Sequence, residues 1–128
     1  ELYDPQAASW TQLAGMAGPR YAHGCVALDG KLYAVGGRDA AFQELDTAEV
    51  YDPQTDGWQP LAKMSTARYA LGLASVGGKI YAFGGDDGSS VLDRTNLFLP
   101  LHPRGHDSKT QGLGVKTLRL TLAADSRL

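Results

Sequence analysis

Short apolar stretches separated by turn residues occupy the first 96 residues. Residues 22–28 show little polar alternation, which predicts a strand buried on both faces. The Asp29-Gly30 pair that follows is a strong signal for a two-residue hairpin, because both turn positions need positive φ. Residues 31–35 then form the returning strand. Further strands are predicted at residues 47–51 and from Gly57 to Leu61, so the pattern indicates a small antiparallel sheet of four strands.

The chain repeats itself with a period of 48 residues. Residues 1–48 and 49–96 align without a gap, and 21 of the 48 aligned pairs are identical. Self-similarity at one fixed offset is the signature of a repeat architecture. The identical pairs include Glu1/Glu49, Tyr3/Tyr51, Trp10/Trp58, Arg20/Arg68, Tyr21/Tyr69, Tyr33/Tyr81, Gly36/Gly84 and Gly37/Gly85.

The order of marks within one repeat resembles the kelch repeat, one blade of a β-propeller. These marks are the doublet Gly36-Gly37 after an apolar strand, then Tyr51, then Trp58. The resemblance implies an all-β, partial kelch-type β-propeller made of about two four-stranded blade repeats, with binding faces formed by the loops. Many members of that family are substrate-recruiting adaptors or cytoskeletal binding proteins.

We divide the chain into kelch repeats over residues 1–96 and a non-kelch tail over 97–128. One complete blade, residues 20–64, is flanked by half blades, of which residues 69–85 supply the first two strands of the next. The tail begins where a third repeat should restart, but Leu97 replaces the expected acidic residue. Within the tail, residues 115–122 alternate like a strand that could cap an open edge. A disordered tail is the alternative.

Several repeated positions are expected to be structural. Glycine pairs allow two backbones to approach closely where blades converge, and large aromatic rings fill the wedge between blades. Repeated arginines can hold neighbouring loops through backbone hydrogen bonds. The expected structural residues are Trp10, Arg20, Tyr33, Gly36, Gly37, Tyr51, Trp58, Arg68, Tyr81, Gly84 and Gly85.

Loops displayed by a rigid scaffold are the best candidates for recognition. Two sets recur, one at the entry of each first strand and one directly after each glycine doublet. The kelch resemblance implies that Arg38, directly after a doublet, suits acidic peptides, and its planar fork matches carboxylates. The predicted partner-binding residues are Tyr21, Arg38, Asp39, Tyr69, Asp86 and Asp87.

We predict no catalytic residues, no metal and no cofactor. His102 and His106 are four residues apart, but Pro103 and Gly105 disfavour the helix that would align them for a metal. Cys25 is expected to be a small buried hydrophobe, since its repeat equivalent is Leu73.

The composition indicates which kinds of partner and which cellular compartment to expect. The net charge is −2 and no run of Lys or Arg occurs, so neither nucleic acid nor a membrane surface is an expected partner. A single cysteine and the lack of a long apolar run favour a cytoplasmic protein. The last three residues, 126–128, are similar to a peroxisomal address, a match that arises easily by chance.

The pattern therefore favours a non-enzymatic scaffold whose loops bind another protein, in the manner of a substrate-recruiting adaptor. Two alternatives stay open: a non-functional or interfering truncation product of a larger propeller, and a propeller enzyme acting on a small molecule. Propellers close with 4–8 blades. Open blade edges in this chain are therefore expected to promote self-association.

Overall fold

The computed structural model describes the backbone of residues 1–98 and the side chains of residues 1–95. These residues form nine strands in three antiparallel sheets, which confirms the predicted all-β class. The strands are β1 (Leu2–Asp4), β2 (Ser9–Thr11), β3 (Gly24–Leu28), β4 (Lys31–Val35), β5 (Ala48–Asp52), β6 (Gly57–Pro60), β7 (Gly72–Val76), β8 (Lys79–Phe83) and β9 (Thr95–Phe98). The first sheet is β1-β2, the second is β3-β4-β5-β6, and the third is β7-β8-β9.

The second sheet is the predicted four-stranded blade. Its strands pair in sequence order, as in a meander. The hairpin between β3 and β4 turns at Asp29 and Gly30, with φ of 50° and 73°, as the sequence predicts. The strand β3 begins at Gly24 rather than at residue 22, because Ala22 has a φ of 50° and leaves the extended conformation.

The prediction that residues 22–28 are buried on both faces is wrong. Along β3, Gly24 is buried, whereas Cys25 and Ala27 are exposed. One face of β3 packs against β7 of the third sheet. On the other side, the described residues supply only the β1-β2 hairpin of a preceding sheet, so alternate side chains of β3 lack a cover.

The third sheet contains one strand more than the sequence suggests. We expected two strands from residues 69–85, and β9 adds a third along the edge of β8. The register differs by one residue from that of the second sheet: Val35 lies opposite Ala48, whereas Phe83 lies opposite Thr95, the repeat equivalent of residue 47. Ladder pairing uses backbone groups, so β9 forms without the acidic and tyrosine marks of the repeat.

The core lies between the second and third sheets. Its buried members are Tyr33, Val35, Ala48, Met64, Leu71, Ile80 and Ala82. Three backbone hydrogen bonds fasten the junction: Gly37 N to Arg68 O (2.8 Å), Arg68 N to Leu45 O (3.1 Å) and Ala70 N to Ala22 O (2.8 Å). Neighbouring repeats are therefore joined by main-chain groups as well as by apolar packing.

Several sequence predictions fall on the rest of the chain. The predicted strand at 115–122, the histidine pair His102 and His106, and residues 126–128 lie outside the described residues. Within residues 1–98, no helix is long and apolar enough to cross a membrane.

Candidate functional site

The loops after β4 and before β3 meet at one end of the second sheet. Tyr21 and Arg38 exchange two backbone hydrogen bonds, of 3.0 and 2.9 Å, and Tyr69 and Asp86 repeat the arrangement in the third sheet. The repeat thus places one aromatic residue beside the residue that follows each glycine doublet. Together with two loop residues, Tyr21, Arg38 and Tyr69 form a group that we call the Arg38 cluster: Tyr21, Arg38, Phe42, Glu44 and Tyr69.

Arg38 lies at the centre of this cluster. Its Nε and Nη2 donate to Glu44 Oε1 at 3.0 and 2.7 Å, and its Cζ lies 3.7 Å from the centre of the Tyr69 ring. The two charged side chains are 24% and 22% exposed. The hydrogen bonds that Arg38 donates to Glu44 raise the pKa of Arg38, so the guanidinium is charged at every physiological pH. The cation is held in a fixed orientation and remains partly open to solvent.

Aromatic side chains form the exposed rim of the cluster. The rings of Tyr21 and Phe42 meet edge to face, with centres 5.8 Å apart. Phe42 is 67% exposed and Tyr21 is 42% exposed. Exposed aromatic rings beside a partly open arginine have the composition typical of the centres of protein interfaces.

The predicted acidic residues are engaged by their own loops. Asp39 Oδ1 accepts hydrogen bonds from the backbone N–H of Ala41 and Gln43, at 2.8 and 2.9 Å. Asp87 Oδ1 accepts two from Ser89 and Ser90, both at 2.9 Å, and these lower the pKa of Asp87.

Asp86, at the repeat position of Arg38, accepts a hydrogen bond from Gly88 N at 2.7 Å. The three carboxylates therefore shape the loops around the cluster, and each retains one oxygen outside these bonds.

The repeated arginines lie in the interior. Arg20 donates to the carbonyl oxygens of Gly36 and Thr47 and pairs with Glu49; the Arg20 and Glu49 side chains are 4% and 7% exposed. Arg68 is 1% exposed and donates to the carbonyl oxygens of Gly84 and Arg94. No carboxylate among residues 1–95 pairs with Arg68, and burial lowers its pKa. Both arginines hold loops together in the described structure.

The glycine doublets lie where backbones meet. A Cβ on Gly36 would come within 2.5 Å of Arg68 O, and one on Gly37 within 2.7 Å of Tyr21 O. Gly85 repeats the close approach of Gly37, since a Cβ there would come within 2.6 Å of Tyr69 O. A Cβ on Gly84 would meet, among the described residues, only Leu92 O, at 3.8 Å.

The aromatic repeat residues differ in burial. The rings of Tyr51 and Trp58 pack against each other across β5 and β6, with centres 5.3 Å apart and planes tilted by 43°, and Trp58 Nε1 donates to Ala14 O. Trp10 forms the equivalent pair with Tyr3 but is 66% exposed. Tyr33 is buried and Tyr81 is half-buried.

The chemistry-bearing residues outside the cluster do not assemble. Cys25 is exposed rather than buried as predicted, for the reason given for β3. His23 is half-buried against Gly37, and burial followed by the charge of Arg20 lowers its pKa. Within the described part of the chain, no three His, Cys, Asp or Glu side chains are grouped so as to hold a metal ion.

Two members of the cluster were missed by the sequence analysis. Glu44 and Phe42 lie in a loop where the two repeats differ, since Leu92 and Ser90 are their equivalents. A repeat comparison emphasises shared positions, so it overlooks residues that are particular to one loop. Two features of the sequence could have indicated them: Glu44 is an acidic residue six positions after Arg38, and Phe42 is an apolar ring in an otherwise polar loop.

Comparison with known proteins agrees with the geometry. The Kelch motif matches residues 19–65 and 67–96, which is more than half of the chain. Kelch-like protein 7 of Rattus norvegicus and that of Mus musculus are each 46% identical over 39 residues, 30% of this chain. The matched segment spans 7% of the length of each relative. The repeats indicate a protein-interaction module, and the chain belongs to the kelch-repeat family.

Proposed function

We propose that the Arg38 cluster binds an acidic, partly apolar segment of a partner protein. The observation that carries the proposal is the guanidinium of Arg38, fixed between Glu44 and the Tyr69 ring while still 24% exposed. Nε and Nη2 donate to Glu44 Oε1, and the exposed part of the guanidinium beside Tyr21 can meet a partner carboxylate. A cation held in one orientation loses little conformational entropy on binding.

The rim supplies the apolar part of the recognition. Phe42 and Tyr21 expose an edge-to-face pair beside the cation, and aromatic side chains give large contact areas with few rotatable bonds. A matching segment carries a carboxylate next to an apolar side chain. As part of the same proposal, the chain is a substrate-recruiting adaptor in the cytoplasm, the role implied by the kelch resemblance.

The test uses charge reversal and an array of immobilised peptides in which Asp or Glu neighbours Leu, Phe or Tyr. Arg38→Glu should weaken binding of these peptides by about tenfold or more, because the cation that pairs with the peptide carboxylate is replaced by a like charge. Lys63→Glu is the matched control, since Lys63 is an exposed cation, 66% accessible, paired with Asp46 outside the cluster. Circular dichroism checks that both variants fold. Equal peptide binding by Arg38→Glu and the original chain would overturn the proposal.

A further inference from the structure

The backbone groups that join the second and third sheets recur at both ends of the repeats that the structure describes. Gly37 N, Arg68 N and Ala70 N each donate a hydrogen bond across the junction between these two sheets. Their repeat equivalents are Gly85 N at one end and Arg20 N and Ala22 N at the other. None of these three has a hydrogen-bond partner within the described residues. The chain therefore presents both halves of its own junction at opposite faces.

The open face of the second sheet contains a cavity of about 550 Å³ with largely apolar walls. Its lining includes Ala17, Pro19, Ala40, Ala41, Leu45 and Pro60, together with the buried Arg20–Glu49 pair. We call this cavity the socket. In the junction, the equivalent of Ala40 is Gly88, and Glu44 lies so close to it that a Cβ there would come within 2.8 Å of Oε1. A loop from a preceding repeat thus fills the position equivalent to the socket.

The open face of the third sheet carries the loop that would fill the socket. Leu92 occupies the repeat position of Glu44, so an apolar side chain replaces the carboxylate and suits apolar walls. Its neighbour Val91 is 82% exposed, and Phe83 on the same face is 44% exposed. We call residues 86–92 the plug. Exposed apolar side chains at this density favour association.

We propose that the plug of one copy of this chain docks into the socket of a second copy, in a head-to-tail contact that repeats the internal junction. Gly85 N then donates to Arg20 O of the second copy, and the second copy's Arg20 N and Ala22 N donate to Asp93 O and Ala70 O of the first. The cation–π contact is not repeated, because Asp86 stands at the position of Arg38. Leu92 in the socket supplies apolar burial in its place.

The repeat phase sets the geometry of the assembly. Residue 97 is the repeat equivalent of residue 1. In the assembly, β1 of the second copy therefore pairs with the edge of β8 and displaces β9 from it. Residues 1–5 retain the acidic, tyrosine, aspartate and proline marks that residues 97–101 lack. A heterologous contact closes into a ring or extends without limit. Each copy contributes two repeats, so two to four copies give the 4–8 blades of known propellers.

The test combines two blocking variants with light scattering after size-exclusion chromatography. Ala40→Lys blocks the socket, and Leu92→Lys blocks the plug; Ala40 is exposed, so its replacement leaves the fold intact. Val91→Lys is a second plug variant in case Leu92→Lys fails to fold. Gln54→Lys, on the exposed outer turn between β5 and β6, adds the same charge away from both faces and is the control.

We expect the original chain and Gln54→Lys to reach multiples of 13.6 kDa as concentration rises. Each blocking variant alone should stay monomeric at tenfold higher concentration. An equimolar mixture of a socket variant and a plug variant should stop at two copies, because only one intact plug and one intact socket remain. A monomeric original chain at every concentration, or blocking variants that associate like the original, would overturn the proposal.

Discussion

The carbonyl oxygen of Arg68 lies so close to Gly36 that a Cβ on that glycine would come within 2.5 Å of it. Gly36 also has a φ of 64°, in the left-handed region. Gly36→Ala should therefore lower the free energy of unfolding by about 3 kcal/mol or more, since it combines backbone strain with a clash that backbone cannot relieve. Urea denaturation of dilute protein measures this loss.

The repeat supplies a matched control for that prediction. Gly84 has the same φ of 64°, but within residues 1–98 a Cβ there would meet only Leu92 O, at 3.8 Å. Gly84→Ala should thus show only the left-handed cost of about 1–2 kcal/mol. Equal losses for the two variants would mean that the close approach of Arg68 contributes nothing.

The Arg20–Glu49 pair gives a second prediction. Both side chains are buried, and Glu49 Oε2 also accepts the backbone N–H of Ala17. Glu49→Ala should destabilise the fold by about 3–5 kcal/mol, because it leaves a buried guanidinium without its counter-charge. The double variant Arg20→Met/Glu49→Leu should recover most of that loss, as apolar replacement of a buried pair often does. Thermal unfolding measures the stability of both variants. A double variant as unstable as Glu49→Ala would contradict the prediction.

The acid dependence of stability should depend on Asp56. Its carboxylate accepts Ala14 N at 2.9 Å and the Tyr51 hydroxyl at 2.7 Å, and these bonds hold its pKa below the ordinary value. A depressed pKa contributes stability above the carboxyl pKa of the unfolded chain, and that contribution is lost as pH falls through the lower folded-state pKa. Asp56→Asn should flatten the acid limb of a melting-temperature profile.

Asp29→Asn is the control for the acid profile. Asp29 also has a left-handed backbone, with φ of 50°, and its carboxylate accepts no hydrogen bond within the described residues. Its replacement removes one carboxylate without removing a hydrogen bond to that carboxylate. If Asp29→Asn and Asp56→Asn alter the profile alike, the hydrogen bonds to the Asp56 carboxylate do not cause the acid dependence of stability.

Glu44 should limit the affinity of the Arg38 cluster for acidic segments. It occupies Arg38 within the same chain, and an incoming carboxylate has to share that cation. Glu44→Gln should strengthen binding of the acidic peptides defined above by roughly three- to tenfold, since a repulsive and competing charge is removed. Fluorescence anisotropy measures the change. Asp46→Asn removes one negative charge at the surface pair with Lys63 and should have little effect; weaker binding by Glu44→Gln would contradict this prediction.

The repeat made much of the fold predictable. The period, the hairpin at Asp29-Gly30 and the four strands of the second sheet follow from local pattern, because turn residues and apolar alternation act over a few positions. The sequence analysis missed β9 because the residues typical of the repeat are lost after Thr95. Backbone pairing between strands does not need those side chains. Cys25 was misjudged because its burial depends on a neighbouring sheet and not on its own strand.

The candidate site was harder to predict. Arg38 and Tyr21 were named from their repeat positions, but the contact of Arg38 with Tyr69 joins two repeats and depends on how the sheets pack. The pair with Glu44 depends on the path of a loop whose sequence is not shared between repeats. Distances across such loops are set by tertiary structure, so spacing along the chain does not reveal them.

The bonds between Gly37, Leu45, Ala22 and the following repeat use only peptide groups. Every residue except proline supplies the same N–H and C=O groups, whatever side chain it carries. Mutation can therefore rewrite the exposed loop side chains, including those at Phe42 and Glu44, without altering these connections. The fold can therefore be retained while the binding specificity changes. New recognition surfaces can arise by point substitution in the loops.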